Sequence, residues 1–267
     1  MSNSIISLAD DLQICRILNG MWQVSGGHGQ INPELAILDM LEYHGMGLTT
    51  WDLADIYGPA ESYIGEFRKK LFATDKAELN KCQALTKFVP NPGPMTKSIV
   101  EYYVNQSLKK MNVDSLDLIQ FHWWDYKNPS YLDAIDHLSN LCNKGIIKHI
   151  GLTNFDTPRI EIILKKGFKI ISNQVQYSIL DQRPEQSMIP ICQKYGVKLL
   201  TYGTLLGGFL SEKYLNLANP HKADLTTLSL QKYYNMIDVW GGWNLFQDLL
   251  HTLYDISKKH NSSIANV

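Results

Sequence analysis

Residues that can transfer protons stand at the ends of three consecutive apolar stretches of this 267-residue chain. Asp52 follows GLTTW with Tyr57 five residues later, Lys87 closes ALTK, and His122 closes LDLIQFH. A phenol donates protons poorly at neutral pH, and an ammonium group beside it lowers its pKa, while a carboxylate keeps that ammonium charged. A neutral imidazole can then orient a carbonyl oxygen. Together the four residues predict a proton-donating site, in which Asp52 and Tyr57 are two arms of one acid catalyst.

Each of these residues also has a plain structural interpretation when it is taken alone. A lysine at a strand end is most often paired, a lone histidine most often belongs to the core, and a loop tyrosine usually packs. The functional interpretation therefore depends on elements that bring the three strand ends to one place.

The elements that would do so are short apolar runs that alternate with helical segments at intervals of about 25 to 35 residues, the pattern of βαβ units. Seven such βα-type strands predict a (β/α)8 barrel of the TIM type, whose active sites lie at the C-terminal ends of the strands. A doubly wound open sheet is the alternative, but no GxGxxG follows the first strand. The strand candidates are residues 16–21, 47–52, 83–87, 116–121, 148–152, 172–176 and 198–202.

The chain shows no linker or low-complexity segment, so we expect a single barrel domain over residues 1–267. Ahead of the first strand, ISLADDLQICRI predicts a hairpin over about residues 4–16 that turns at Asp10 and Asp11. We expect this hairpin to cover the bottom of the barrel.

Two helix starts are marked by residues that cap helices. Asn32 precedes Pro33, and Thr157 precedes Pro158, and each pair predicts an N-cap followed by proline in the first turn. Glycines at positions 45 and 167 predict where these two helices stop.

Composition excludes several classes of protein. The formal net charge is −1, so no basic surface predicts binding to nucleic acid. No apolar run is long enough to span a membrane, and no secretory signal opens the chain. The four cysteines are far apart, which predicts reduced thiols and a cytoplasmic protein. The eight histidines show no metal-ligand spacing, so we expect no metal.

The order Asp52, Tyr57, Lys87, His122, followed by GLTNF, SNQVQYS and TYGTLLGGFL, resembles the aldo-keto reductase superfamily. The resemblance runs from about Leu18 to the last residue. It implies a (β/α)8 barrel that reduces aldehydes or ketones with NADPH, or with NADH, and without a metal. The catalytic tetrad of the family falls on the same four residues.

The resemblance also implies the residues that hold the cofactor and the small carbonyl substrate. Thr153 stands where most members have serine. Tyr202 matches the aromatic residue that stacks on the nicotinamide, and small residues after it allow backbone N–H groups to approach phosphate oxygens. The implied cofactor residues are Gly20, Met21, Trp22, Asp52, Thr153, Asn154, Gln174, Tyr202, Gly203, Thr204, Leu205 and Gly207. The implied substrate pocket consists of Trp22, Tyr57, His122 and Trp123.

The last segment, LFQDLLHTLYDISKKHNSSIANV, predicts one helix and the first turn of another. We therefore expect this chain to lack the eighth strand and the C-terminal helix of the family. The family residues that bind the adenosine 2′-phosphate are expected to be missing as well. A longer chain, a partner or a swapped segment would supply the strand, because unpaired strand edges invite aggregation. Two alternatives to an enzyme remain open: a non-catalytic, cofactor-sensing regulatory subunit, or an inactive truncated form. The sequence leaves the oligomeric state open.

Overall fold

The structure, a computed structural model, describes residues 4–267. Backbone contacts divide the chain into two compact units. The first unit contains residues up to Gly26 together with Gln30–Val175 and Ser187–Leu200, and the second contains Gly27–Gly29, Gln176–Gln186 and Thr201–Val267. No helix within residues 4–267 has the length and apolar character needed to cross a membrane.

The strands form one hairpin and one larger sheet. Strands β1 (Ile5–Ala9) and β2 (Leu12–Cys15) pair antiparallel. The second sheet has seven strands in sequence order, β3-β4-β5-β6-β7-β8-β9, and the pairs from β3 to β8 are parallel. Their bounds are Asn19–Gly20, Thr50–Asp52, Gln83–Phe88, Leu116–His122, Ile147–Thr153, Ser172–Gln176 and Lys198–Tyr202. Seven consecutive parallel strands confirm the predicted barrel fold with one strand fewer than eight among the described residues.

Helices follow most of the strands, as βαβ connections require. Their bounds, from α1 to α10, are Pro33–Gly45, Ala60–Thr74, Lys76–Leu79, Lys97–Met111, Tyr131–Asn143, Thr157–Lys165, Arg183–Gln186, Met188–Tyr195, Leu228–Trp240 and Gly242–Lys259. Short 3-10 turns lie at Trp22–Ser25, Leu206–Gly208, Glu212–Tyr214, Lys222–Asp224 and Ile264–Asn266.

Helix α1 begins and ends where the sequence predicts. The Asn32 side chain accepts from the backbone N–H groups of Glu34 and Leu35, and the helix ends at Gly45. Helix α6 differs by one residue, because its N-cap is Asp156 rather than Thr157. The Asp156 carboxylate accepts from the backbone N–H of Arg159, and a carboxylate is the stronger acceptor at a helix N-terminus.

Two strands are shorter than the apolar pattern suggests. The first covers only Asn19–Gly20 of the predicted 16–21, and the second starts at Thr50 rather than at residue 47. Arg16 is drawn into the hairpin instead, since its backbone N–H donates to Ser4 O at 2.7 Å. Strand β3 is also the first strand of the sheet order, so it has one strand neighbour among the described residues.

The hairpin packs against the N-terminal halves of the strands in the first unit. Leu8, Leu12 and Ile14 form one buried cluster with Leu85, Leu118 and Leu200. His149 Nε2 on β7 lies 2.7 Å from Asp11 Oδ1 at the hairpin turn, and this hydrogen bond lowers the pKa of the Asp11 carboxyl. We propose that this contact closes one end of a single barrel domain.

The other faces of the strands carry the larger core of the first unit. Side chains such as Ile119 and Phe121 on β6 alternate with inward-facing Leu118 and Gln120, and they pack against the helices. The second unit has its own aromatic and aliphatic core, in which Phe209, Trp243 and Phe246 are buried. The Trp243 indole donates to Leu217 O at 2.9 Å, so its one polar atom is satisfied.

Candidate active site

The polar side chains predicted from the strand ends are brought together in the first unit by strand register. Lys87 on β5 lies opposite Gln120 on β6, and Thr153 on β7 lies opposite Gln174 on β8. Side chains two residues apart share a face of a strand, so His122 follows Gln120 on the same face. The inward face therefore changes from leucine to polar residues toward the C-terminal ends.

Lys87 and Asp52 form a buried ion pair at the centre of these side chains. Lys87 Nζ donates to Asp52 Oδ2 at 2.5 Å and to the backbone oxygen of Leu53 at 2.9 Å. The lysine is 2% exposed, and its burial lowers its pKa, whereas the Asp52 charge acts in the opposite direction. The prediction that these two residues pair agrees with this geometry.

The second oxygen of Asp52 accepts hydrogen bonds from two side-chain amides, one on β6 and one on β8. Gln120 Nε2 and Gln174 Nε2 each donate to Asp52 Oδ1 at 2.8 Å. Gln174 Nε2 also donates to Gln120 Oε1 at 3.0 Å. Gln120 is fully buried, and no motif singled it out. Its position two residues before His122 is the sequence signal that could have placed it on the inward face.

Tyr57 lies next to this pair, but not in the way the sequence predicts. Lys87 Nζ is 5.0 Å from the centre of the Tyr57 ring, above its face. Burial, followed by the charges of Asp52 and Asp55, raises the pKa of Tyr57 above its usual range, so the expected lowering by Lys87 is not found. Burial is the largest cause of the raised pKa, the charges of Asp52 and Asp55 add to it, and the ammonium group lies over the face of the ring.

His122 is held as a neutral imidazole. Burial, and then the Lys87 charge, lower the pKa of His122 to about 4. The ring of Trp124 lies against it, with centroids 4.2 Å apart, and this indole is 58% exposed.

The two tryptophans after His122 have opposite environments. Trp123 is buried in the core, and its indole donates to Asp125 O at 2.7 Å and to Asn128 O at 3.1 Å. The structure thus directs Trp123 away from solvent, while Trp124 remains open beside His122. Sequence reasoning missed Trp124, because the conformation of the loop after a strand sets which of two adjacent side chains is buried.

Asp55, two residues before Tyr57, is a further carboxyl group that no sequence motif singled out. It is partly buried, and Oδ2 accepts from the backbone N–H of Val89 at 3.2 Å. Oδ1 has no hydrogen-bond partner in the part of the chain that the structure describes. Burial, with a smaller effect of the Glu61 charge, raises the pKa of Asp55 to about 6.

Several of the predicted cofactor residues surround the same polar end of the first unit. Met21 N donates to Asp52 O at 2.9 Å, and the Trp22 ring meets the Tyr57 ring edge-on with centroids 5.1 Å apart. A Cβ atom at Gly20 would meet open space. Asn154 has a φ of 58°, which asparagine tolerates, and its N–H donates to Gln174 O at 2.8 Å.

Thr153 carries an observation that fits a bound polar ligand. Its side-chain oxygen is buried and has no hydrogen-bond partner within residues 4–267. Buried polar atoms are normally bonded, so an orphaned hydroxyl calls for a missing partner. A carboxamide, as in a nicotinamide cofactor, is a group of the right chemistry.

The remaining predicted cofactor residues, Tyr202, Gly203, Thr204, Leu205 and Gly207, lie in the second unit. Gly203 and Gly207 have φ values of 73° and 65°, and an added Cβ at Gly203 would lie 2.4 Å from the hydroxyl of Tyr233. These positions therefore require glycine on two grounds, backbone conformation and space. Lys232 Nζ lies 4.7 Å from the centre of the Tyr202 ring.

Among residues 4–267, no group of three or more His, Cys, Asp or Glu side chains is arranged to hold a metal ion. The site is thus described by one ion pair, two amides, a phenol, an imidazole and an orphaned hydroxyl. Except for Tyr57, which lies in the loop after β4, these groups lie on the consecutive strands β4 to β8 of one sheet.

Comparison with known proteins identifies the fold and the family. A solved glycerol dehydrogenase from Gluconobacter oxydans superimposes with a TM-score of 0.80 at 21% identity and covers 99% of this chain and 81% of its own. The model of the aldo/keto reductase family matches residues 16–267. The chain therefore belongs to the aldo/keto reductase family, as the tetrad order suggests.

Two curated relatives extend the comparison. Flagellar radial spoke protein 5 of Chlamydomonas reinhardtii is 26% identical over 247 residues, which are 78% of this chain and 46% of that protein. The NADH-specific methylglyoxal reductase of Escherichia coli is 28% identical over 223 residues, which are 75% of this chain and 67% of that protein. The chain thus spans less than half the length of the first and two thirds of the second.

Proposed function

We propose that this chain is an NAD(P)H-dependent oxidoreductase that reduces aldehydes or ketones to alcohols, or catalyses the reverse reaction. The observation that carries the proposal is the buried Lys87–Asp52 ion pair against the face of the Tyr57 ring, in a chain of the aldo/keto reductase family. A buried ion pair is weak evidence for stability, so its presence at a strand end favours a catalytic role.

Tyr57 is the proposed general acid. Its raised pKa keeps the hydroxyl protonated at neutral pH, so a proton is available for the oxygen of a substrate carbonyl. Once that proton leaves, a phenolate remains, and the ammonium of Lys87 over the ring is placed to stabilise it. Asp52 holds Lys87 charged and fixes its position.

His122 is proposed to orient the carbonyl oxygen. The pKa of about 4 keeps the imidazole neutral at neutral pH, so it can donate one N–H hydrogen bond without competing as an acid. Trp22 beside Tyr57 and Trp124 beside His122 are the proposed walls of the substrate pocket. The buried Trp123 is proposed to support Trp124 and the loop from below.

A nicotinamide cofactor supplies the hydride when it is bound. Thr153, Asn154 and Gln174 are the proposed residues for its carboxamide, with Gly20, Met21 and Trp22 nearby in the chain. Tyr202, Gly203, Thr204, Leu205 and Gly207 are proposed from the family resemblance to contact the nicotinamide ring and the phosphates. We favour NADPH and include NADH, because the Escherichia coli relative is named NADH-specific.

Small reactive carbonyl compounds are the proposed substrate class, and methylglyoxal is the first to test because of that relative. The assay follows the loss of NADPH or NADH absorbance at 340 nm with methylglyoxal, small aldehydes and bulky ketones. The expected result is similar turnover by the wild-type chain and Tyr103→Phe, and about 10²–10⁴-fold lower turnover by Tyr57→Phe. Tyr103 is a matched control because it is a tyrosine on α4 whose ring packs on Phe88 in the larger core of the first unit. Equal turnover by both variants would contradict the proposal.

A structural or regulatory subunit is the second candidate, favoured by the similarity to a radial spoke protein. It predicts cofactor binding without carbonyl turnover in the assay above. The proposed cytoplasmic localisation stays a prediction. Within residues 4–267 the four cysteines are free thiols, as a reducing compartment would require.

A further inference from the structure

The hydrogen bonds around Asp52 form a directed array of two amides and one carboxylate. Gln120 and Gln174 both donate to Asp52 Oδ1, and Gln174 also donates to Gln120 Oε1. The three residues come from β4, β6 and β8, and Gln120 is completely buried. Buried amides in such an array are fixed in orientation, because a wrong orientation leaves an unsatisfied group.

The direction of the array follows from the carboxylate. An ionised carboxyl group only accepts hydrogen bonds, so both amides must turn an N–H toward Asp52. Gln120 then has its oxygen free to accept the second N–H of Gln174. As a result both N–H groups of Gln174 are used, and its oxygen is the one polar group it has left for a ligand.

The strand between the two amides carries a glycine at the level of Gln120. Strand β7 lies between β6 and β8, and its register places Gly151 between Gln120 and Ser172. A Cβ atom at Gly151 would lie 2.4 Å from Ser172 Oγ and 3.4 Å from Leu118 Cδ1, on the inward face. The Gln120–Gln174 hydrogen bond of 3.0 Å joins β6 to β8, the strands on either side of β7.

We infer that Gln120 is a positioning residue that fixes Gln174 as a hydrogen-bond acceptor, and thereby selects a ligand that offers an amide N–H over one that offers a carboxylate. The inference rests on the proposed function, in which Gln174 meets the carboxamide of a nicotinamide. Gln120 acts through Gln174 and Asp52, and needs no contact with the ligand itself.

The test compares two dinucleotides that differ in this one group, NADP+ and nicotinic acid adenine dinucleotide phosphate. Calorimetry on the wild-type chain should show about 10- to 100-fold tighter binding of NADP+, the cost of facing a carboxylate with an acceptor. In Gln120→Met one N–H of Gln174 is released and can donate, so the preference should fall to a few-fold. Gln83→Met, the same substitution at the N-terminal end of β5, should keep the wild-type preference.

Gln120→Glu gives a pH-dependent version of the same test. Burial and the nearby Asp52 charge raise the pKa of the introduced carboxyl group. Its protonated form can donate to Asp52 and accept from Gln174, as the amide does. The wild-type preference and turnover should therefore be kept at low pH and decline as pH rises, whereas Gln83→Glu should show no such decline. A role in packing alone would not produce this difference.

Equal preferences in the wild-type chain and Gln120→Met would overturn the inference. If Gln120→Met does not fold, the inference is tested with Gln120→Glu at low pH. If that variant also fails to fold there, Gln120 contributes to folding alone and the inference is overturned. A wild-type chain that prefers NADP+ as expected, but reduces no carbonyl compound, would refute the proposed function and leave this inference standing.

Discussion

Two layers of inward-facing side chains on the same strands have opposite chemistry. Toward the N-terminal ends, Leu85, Leu118 and Leu200 pack with the hairpin residues Leu8, Leu12 and Ile14. Two residues further along β5 and β6, the same face carries Lys87 and Gln120. Two residues span about 7 Å along a strand, so the environment changes from apolar to polar between one layer and the next.

The two layers make different contributions to the molecule. Each fully buried leucine stabilises the fold by roughly 1.5–3 kcal/mol, whatever its exact neighbours. A buried ion pair such as Lys87–Asp52 contributes little net stability, because desolvation offsets the attraction. Stability therefore comes mainly from the apolar layer, and the polar layer is organised by specific partners. The following four changes test this division, starting with the largest expected effect.

Tyr57→Phe should reduce carbonyl turnover by about 10²–10⁴-fold, the usual contribution of a general acid. The ring, its contact with Trp22 and its place under Lys87 remain, so stability and cofactor affinity should change little. Steady-state kinetics at 340 nm and a urea denaturation curve measure the two effects. Near-wild-type turnover would show that the polar layer is not catalytic in the proposed way.

Lys87→Met should lower the free energy of unfolding by about 3 kcal/mol or more, because Asp52 loses its cationic partner in a buried place. The double variant Lys87→Met with Asp52→Asn should regain most of that loss, since no unpaired charge remains. Urea denaturation of both variants at pH 7 is the measurement. If the two unfold at the same urea concentration, the pairing contributes nothing to stability.

Leu118→Ala tests the apolar layer. Leu118 is fully buried, and truncating such a leucine typically costs about 3 kcal/mol through lost burial and a cavity. Turnover per folded molecule should stay near the wild-type value at a temperature where the variant is folded. Leu35→Ala on the exposed face of α1 is the matched control, with an expected change under about 0.5 kcal/mol. A loss of turnover per folded molecule in Leu118→Ala would contradict the assignment of stability to the apolar layer and of activity to the polar layer.

Asp55→Asn should give the smallest effect, and it depends on pH. The folded-state pKa of Asp55 is raised to about 6, so the folded chain binds a proton that the unfolded chain releases from about pH 4 upward. The wild-type chain therefore loses stability as pH rises between about 4 and 6. Asparagine removes this cost, so the variant should be more stable by about 2 kcal/mol at pH 8 and similar at pH 4. A stability difference that is the same at both pH values would contradict the raised pKa.

The sequence by itself determined the type of fold, most of the strands, and which strand ends carry Asp52, Lys87 and His122. Apolar runs with polar ends are local patterns, and capping residues such as Asn32 mark helix starts without help from distant parts of the chain. The sequence-based prediction was less successful at the first strand, because only Asn19–Gly20 of the apolar run 16–21 forms a strand. Arg16 bonds to Ser4 there, a partner that no periodic pattern reveals.

The tertiary structure alone decided how the site residues face one another. Strand register aligned Gln120 with Lys87 on one side and with Gly151 on the other. The path of one loop buried Trp123 and exposed Trp124 beside His122. Lys87 came to lie over the ring of Tyr57, so burial and carboxylates set the pKa of Tyr57 instead. Residue types follow from sequence, but hydrogen-bond partners and pKa values depend on distances of a few ångströms between strands far apart in the chain.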